Sequence, residues 1–115
     1  MIFKKNQTCC GQPSFNTGYF NESKAVALYN AELFDEDYPI IVPSGSCAGM
    51  MSHDYLGLFK DDKNYEKVAE FSSRVIELSQ YLDKVLNVSY EDKGEPVKVT
   101  WHSNCHALRV QKSVE

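Results

Sequence analysis

The sequence predicts a small α/β fold, a mostly parallel sheet with flanking helices. Two β-branched runs, Tyr38–Val42 and Val97–Trp101, read as strands. Periodic apolar stretches before, between and after them read as helices. No tight hairpin signal joins the two runs, so helical crossovers and parallel pairing follow.

The elements follow in chain order. Asn21-Glu22-Ser23 offers capping chemistry ahead of a helix over 24–34, with Ala25, Val26, Leu28, Tyr29 and Leu33 as its core-facing stripe. Asp35-Glu36-Asp37 ends that helix, and Tyr38-Pro39-Ile40-Ile41-Val42 forms a short buried strand. Pro43-Ser44-Gly45-Ser46 is turn chemistry, leading into a helix over 47–59. The strongest periodicity joins Val68, Phe71, Val75, Leu78, Leu82 and Val85 in steps of three and four. It predicts one long helix over 64–86, core-facing rather than coiled-coil because fewer than four heptads are present. Residues 87–96 are a polar loop, Val97–Trp101 alternates as the second strand, and a further helix starts near Cys105.

Composition narrows the class. The chain has 115 residues, enough for one small core that buries roughly 65% of the unfolded surface. Twelve Lys and Arg against sixteen Asp and Glu give a net charge of −4. That balance argues against nucleic acid or an anionic membrane as the main partner, since both select basic surfaces. No apolar run approaches the length of a membrane span, and the start lacks the apolar stretch of a secretory signal. The expectation is a cytoplasmic globular domain.

Four cysteines, Cys9, Cys10, Cys47 and Cys105, need an explanation in a reducing compartment. Adjacent residues such as Cys9 and Cys10 seldom support an unstrained disulfide, so metal binding or redox chemistry is the sharper reading. The plain alternative is that some are small buried hydrophobes. An internal echo favours the metal: Ile41-Val42-Pro43-Ser44-Gly45-Ser46-Cys47-Ala48 aligns with Val99-Thr100-Trp101-His102-Ser103-Asn104-Cys105-His106. Both segments carry an extended run through small or polar residues to a cysteine at a helix start. There the free backbone N–H groups stabilise a thiolate. The carboxyl end of a parallel strand is also where open α/β sheets place their sites.

These motifs resemble a known family. Thr8-Cys9-Cys10-Gly11-Gln12-Pro13 is similar to the signature of cysteine-rich (CCG) iron–sulfur domains, and Pro43-Ser44-Gly45-Ser46-Cys47-Ala48-Gly49-Met50 to its second signature. His102-Ser103-Asn104-Cys105-His106-Ala107-Leu108-Arg109 resembles the opening of that family's second module. The resemblance implies that residues 1–96 are the later part of a first module and 97–115 the start of a second. Cys9, Cys10 and Cys47 then hold a first [4Fe-4S] cluster, and Cys105 belongs to a second. The missing ligands are expected upstream of Met1 and downstream of Glu115, so this stretch of chain alone is not expected to retain a cluster. Met50 stands where many members carry another cysteine, leaving the cluster type, cubane or noncubane, open.

The resemblance further implies an iron–sulfur electron-transfer subunit of a cytoplasmic complex that oxidises L-lactate to pyruvate with other iron–sulfur subunits. In that reading it is part of an oxidoreductase and not active alone. Glycolate or glycerol-3-phosphate oxidation is the alternative within the family, and a non-redox, zinc-stabilised interaction module is the alternative outside it. His106 reads as a ligand, as a hydrogen-bond donor to a cluster sulfur, or as a structural residue at a helix start. His102 is a weaker candidate for supporting a ligand. Arg109 either offsets an anionic cluster or is a solvated helix residue, and His53 reads as a surface residue. A sheet this small leaves an unpaired strand edge, which favours pairing with a second copy of the chain.

Overall fold

A computed structural model of the chain describes residues 1–102. After an irregular amino-terminal segment with a turn at Lys5-Asn6 come α1 (Gln12–Asn16) and α2 (Phe20–Leu33), then β1 (Ile40–Val42). The chain re-enters helix as α3 (Gly45–Gly49), continues through a π-helical turn (Met50–Asp54), and ends that arm in α4 (Tyr55–Leu58). Next are α5 (Tyr65–Arg74), β2 (Val75–Glu77), α6 (Leu78–Gln80) and a second π-helical turn (Tyr81–Val85). Strands β1 and β2 pair in parallel, Ile40 with Val75, Ile41 with Ile76 and Val42 with Glu77. The α/β class, with a small parallel sheet and flanking helices, is therefore present.

The strand that completes the sheet is not the one the sequence suggested. The predicted helix over 64–86 breaks after Arg74, and Val75-Ile76-Glu77 becomes the second strand. Two β-branched residues side by side favour an extended backbone, and pairing satisfies the polar backbone along one side of β1. Glu77 then restarts the helix: its carboxylate accepts the Ser79 N–H at 2.9 Å and the Gln80 N–H at 3.3 Å. The step-of-three-and-four pattern therefore spans two environments. Val68 and Phe71 are buried on α5, whereas Leu78 is 38% exposed. Residues Val97–Trp101, the predicted second strand, are irregular, with Val97, Val99 and Trp101 exposed. The helix expected near Cys105 lies outside the described residues.

Helix α2 also corrects a detail. Asn21-Glu22-Ser23 lies inside the helix, which begins at Phe20 with Tyr19 at the cap position. Its buried face is Ser23, Ala27, Asn30 and Ala31, while Ala25 and Tyr29 are exposed. Alanines at 27 and 31 let the neighbouring elements approach closely, and the two polar residues face groups that need hydrogen-bond partners.

The core gathers Ala27 and Ala31 of α2, Ile40 and Val42 of β1, Ala48, Met50, Met51, Tyr55 and Phe59 of the helical arm, and Val68 and Phe71 of α5. The rings of Tyr55 and Phe71 stack at 6.0 Å between centroids, with Phe34 tilted against Phe71 at 6.2 Å. Arg74 ties down the connection between α2 and β1, its guanidinium donating to the carbonyls of Phe34 at 2.6 Å, Tyr38 at 3.1 Å, and Glu36. That clamp fixes where β1 begins, and so where its carboxyl end delivers the chain to Cys47. Among the described residues no helix is long and apolar enough to cross a membrane.

Candidate metal centre

Two turns meet beyond the carboxyl end of β1. The first carries Cys9-Cys10-Gly11, with Gly11 at φ 93°, a left-handed conformation that suits glycine. It lets the chain turn straight into α1, whose first residues are Gln12-Pro13. The second is Pro43-Ser44 entering α3, where the Ser44 hydroxyl accepts the Cys47 N–H at 3.3 Å and caps the helix. Ser46 Oγ bonds Gln12 Oε1 across the gap, joining the two turns side chain to side chain.

The result is convergence of residues far apart in sequence. Cys10 Sγ lies 3.5 Å from Cys47 Sγ, and Cys9, Cys10 and Cys47 are all free thiols. Cys10 is buried in the core cluster, Cys47 is half-buried, and Cys9 is exposed. Burial pushes the Cys10 thiol up to about 12; the Gln12 N–H opposes that shift, and the neighbouring Cys47 and Cys9 add to it. Without a counter-charge Cys10 is therefore a neutral thiol at neutral pH. A metal cation reverses this, because a coordinating thiol loses its proton outright.

Three buried polar side chains hold the cysteine loop; the sequence pattern marked Ser23 only as capping chemistry and did not single out Asn30 or Tyr55. Asn30 of α2 donates through Nδ2 to the Cys9 carbonyl at 3.0 Å, while its Oδ1 faces the Thr8 N–H at 3.4 Å and Thr8 Oγ1 at 3.3 Å. Asn30 also hydrogen-bonds the Tyr55 hydroxyl. That hydroxyl donates to the Cys10 carbonyl at 2.6 Å, and burial, with the nearby cysteines adding, pushes the phenol's pKa up and keeps it a donor. Ser23 Oγ sits 3.3 Å from the Gly11 carbonyl and 3.0 Å from the Tyr19 carbonyl, sharing its one proton between them. The available signal was polar residues on the helix face that also carries Ala27 and Ala31.

The other sequence candidates separate clearly. His53 is a surface residue whose Nδ1 lies 3.3 Å from Asp54 Oδ1. Met50, the last residue of the second resembling motif, is fully buried among core side chains. His102 is exposed. Cys105, His106 and Arg109 lie outside the described residues.

The donor set fits a thiolate-held metal group in its chemistry, since thiolates are the soft ligands such groups take. A pair of sulfurs 3.5 Å apart is close to the edge of a tetrahedron with metal–sulfur bonds of about 2.3 Å, which is about 3.8 Å. Among the described residues no group of three or more His, Cys, Asp and Glu side chains is gathered tightly enough to enclose an ion. Cys10 and Cys47 thus form a converged pair, with Cys9 adjoining it along the chain.

Fold and site together define a small α/β protein with a cysteine pair gathered beyond one end of its sheet. Residues 1–52 match the family described as the CCG cysteine-rich domain, the family that the motifs resemble. The chain is 45% identical to lactate utilization protein A of Shouchella clausii, over 98% of this chain and 47% of that protein. It is 42% identical to lactate utilization protein A of an Exiguobacterium species, over 96% of this chain and 46% of the relative. The protein of the same name from Halalkalibacterium halodurans is 38% identical, over 94% of this chain and 44% of its own length. The chain thus spans just under half the length of these curated relatives. No solved structure gives a significant match.

Proposed function

We propose that the chain is part of an iron–sulfur electron-transfer subunit of a cytoplasmic complex that oxidises L-lactate to pyruvate. Cys9, Cys10 and Cys47 hold one cluster in this reading, and Cys105 contributes to a second, with residues 1–96 and 97–115 in successive modules. The observation that carries the proposal is the meeting of Cys10 and Cys47 at 3.5 Å in a chain whose relatives are named for lactate utilization. A bound iron–sulfur cluster supplies one-electron acceptance and donation; this chain's residues hold it and tune it. Lactate oxidation releases two electrons and two protons, so single-electron carriers must work in sequence, which supports further iron–sulfur subunits as partners. His102, His106 and Arg109 are proposed to support the second site.

Anaerobic purification of the full protein, followed by metal analysis and electron paramagnetic resonance, tests the reading. Iron and acid-labile sulfide in stoichiometric amounts are expected. A second reading, a zinc-stabilised interaction module, draws on the same sulfur pair, whose spacing suits a single tetrahedral ion. Tightly held zinc without sulfide establishes that reading and removes the first. Loss of growth on lactate, but not on glycolate or glycerol-3-phosphate, on deleting the gene is the expected outcome for the substrate.

A further inference from the structure

The cysteine loop is gripped from the protein side in a way that bears directly on its sulfurs. A peptide unit carries a carbonyl at one end and an N–H at the other, in one plane. The Cys10–Gly11 peptide is held by its oxygen, which accepts the Tyr55 hydroxyl at 2.6 Å. The N–H of that same peptide, on Gly11, donates to Cys9 Sγ at 3.5 Å. One peptide further on, the Gly11 carbonyl lies 3.3 Å from Ser23 Oγ, and the N–H at its other end, on Gln12, hydrogen-bonds Cys10. Two consecutive peptides are therefore held at their oxygens by buried hydroxyls, the second also by the Phe15 N–H at 3.0 Å, and aim their hydrogens at consecutive cysteine sulfurs. The left-handed φ of Gly11 permits this alignment.

We infer that Tyr55, backed by Asn30, and Ser23 are positioning residues that act through the Gly11 and Gln12 N–H groups to stabilise negative charge on Cys9 and Cys10. This rests on the reading of those cysteines as metal ligands. Hydrogen bonds to cluster sulfurs are among the main determinants of reduction potential. They favour the reduced, more negative state, so weakening them lowers the potential. Tyr55 is distant in sequence from the cysteine loop, with a buried ring stacked on Phe71, so removing its oxygen alone leaves the packing in place.

The test uses Tyr55→Phe and Ser23→Ala in the full protein, reconstituted with ferrous iron and sulfide. Both variants are expected to keep wild-type iron content and circular dichroism, with midpoint potentials shifted below wild type. Wild-type potentials in both variants overturn the inference. A second arm needs no metal: amide hydrogen exchange of the iron-free protein. Gly11 exchange should rise several-fold in Tyr55→Phe and Gln12 exchange in Ser23→Ala, with distant core amides unchanged. Unchanged protection at both amides overturns the inference. If wild-type protein takes up no iron, the iron–sulfur reading falls, and the exchange arm alone decides the positioning of the two amides.

Discussion

Cys10 Sγ and Cys47 Sγ stand 3.5 Å apart although their residues are 37 positions apart in the chain. The first belongs to a glycine turn ahead of α1 and the second to the first turn of α3. Cys10→Ser and Cys47→Ser are each expected to remove most iron from the same site, and Cys9→Ser to impair that site too. Cys105→Ser should leave its spectrum intact. Iron per protein and the paramagnetic spectrum of each variant check this. Equal loss on Cys105→Ser would assign all four cysteines to one site.

Gly11→Ala tests the turn itself. A methyl group there would meet the Ser23 carbonyl at 3.5 Å and a Val26 methyl at 3.6 Å, which is ordinary contact. The cost is therefore conformational, about 1–2 kcal/mol for a left-handed φ at a residue bearing a Cβ. Denaturant unfolding of the variant measures it.

Asn30→Ala removes the donor to Cys9 and the acceptor facing Thr8. Leaving these groups without partners is expected to cost about 1–3 kcal/mol. Because the loss falls on the cysteine loop, the proposed iron uptake should slow as well. Equilibrium unfolding and the time course of reconstitution report the two effects separately.

Phe71→Ala and Leu78→Ala distinguish the packed helix α5 from the segment beyond β2. Phe71 is fully buried against Tyr55 and Phe34, and its truncation is expected to cost about 3–5 kcal/mol. Leu78 lies beyond β2 and is half-exposed by comparison, so its truncation should cost less than about 1 kcal/mol. A large loss at Leu78 would mean that the helix continues through Val75 after all.

Asp62 supplies a pH dependence. The Lys24 ammonium bonded to it, and then the Asn64 N–H, hold its carboxyl below the ordinary carboxylate range. A depressed folded-state value means that the stabilisation is present above the unfolded pKa. It is lost as pH falls through the folded value. Asp62→Asn should therefore flatten the acid limb of the stability curve and leave the neutral region less stable. Thermal unfolding between pH 7 and pH 2 checks it. Lys24 also sits over the Phe59 ring at 5.3 Å, so Lys24→Met should produce the same flattening with an added packing effect.

Much of this was legible from residue types alone. The Ile40-Ile41-Val42 strand, the helix before it and the turn at Pro43-Ser44 all derive from local pattern, because each depends on neighbours within a few residues. Val75-Ile76 was hidden by the apolar periodicity running through it. A short run in step with a helix and a short buried strand look alike until a partner strand is available. Val97–Trp101 differs in the opposite direction: it alternates well, yet the sheet of the described residues is built from β1 and β2.

The amino-acid sequence by itself determined the α/β class and the family resemblance, since motif spacing and β-branched or helical patterning are properties of the chain alone. Only the tertiary structure decided that Cys10 meets Cys47, that β2 begins at Val75, and that Ser23, Asn30 and Tyr55 grip the cysteine loop. Those facts depend on which backbone groups become buried and on which distant side chains then satisfy them. A buried carbonyl without a partner costs about 1–3 kcal/mol, so the fold recruits a hydroxyl or an amide to it, and no local pattern announces which one.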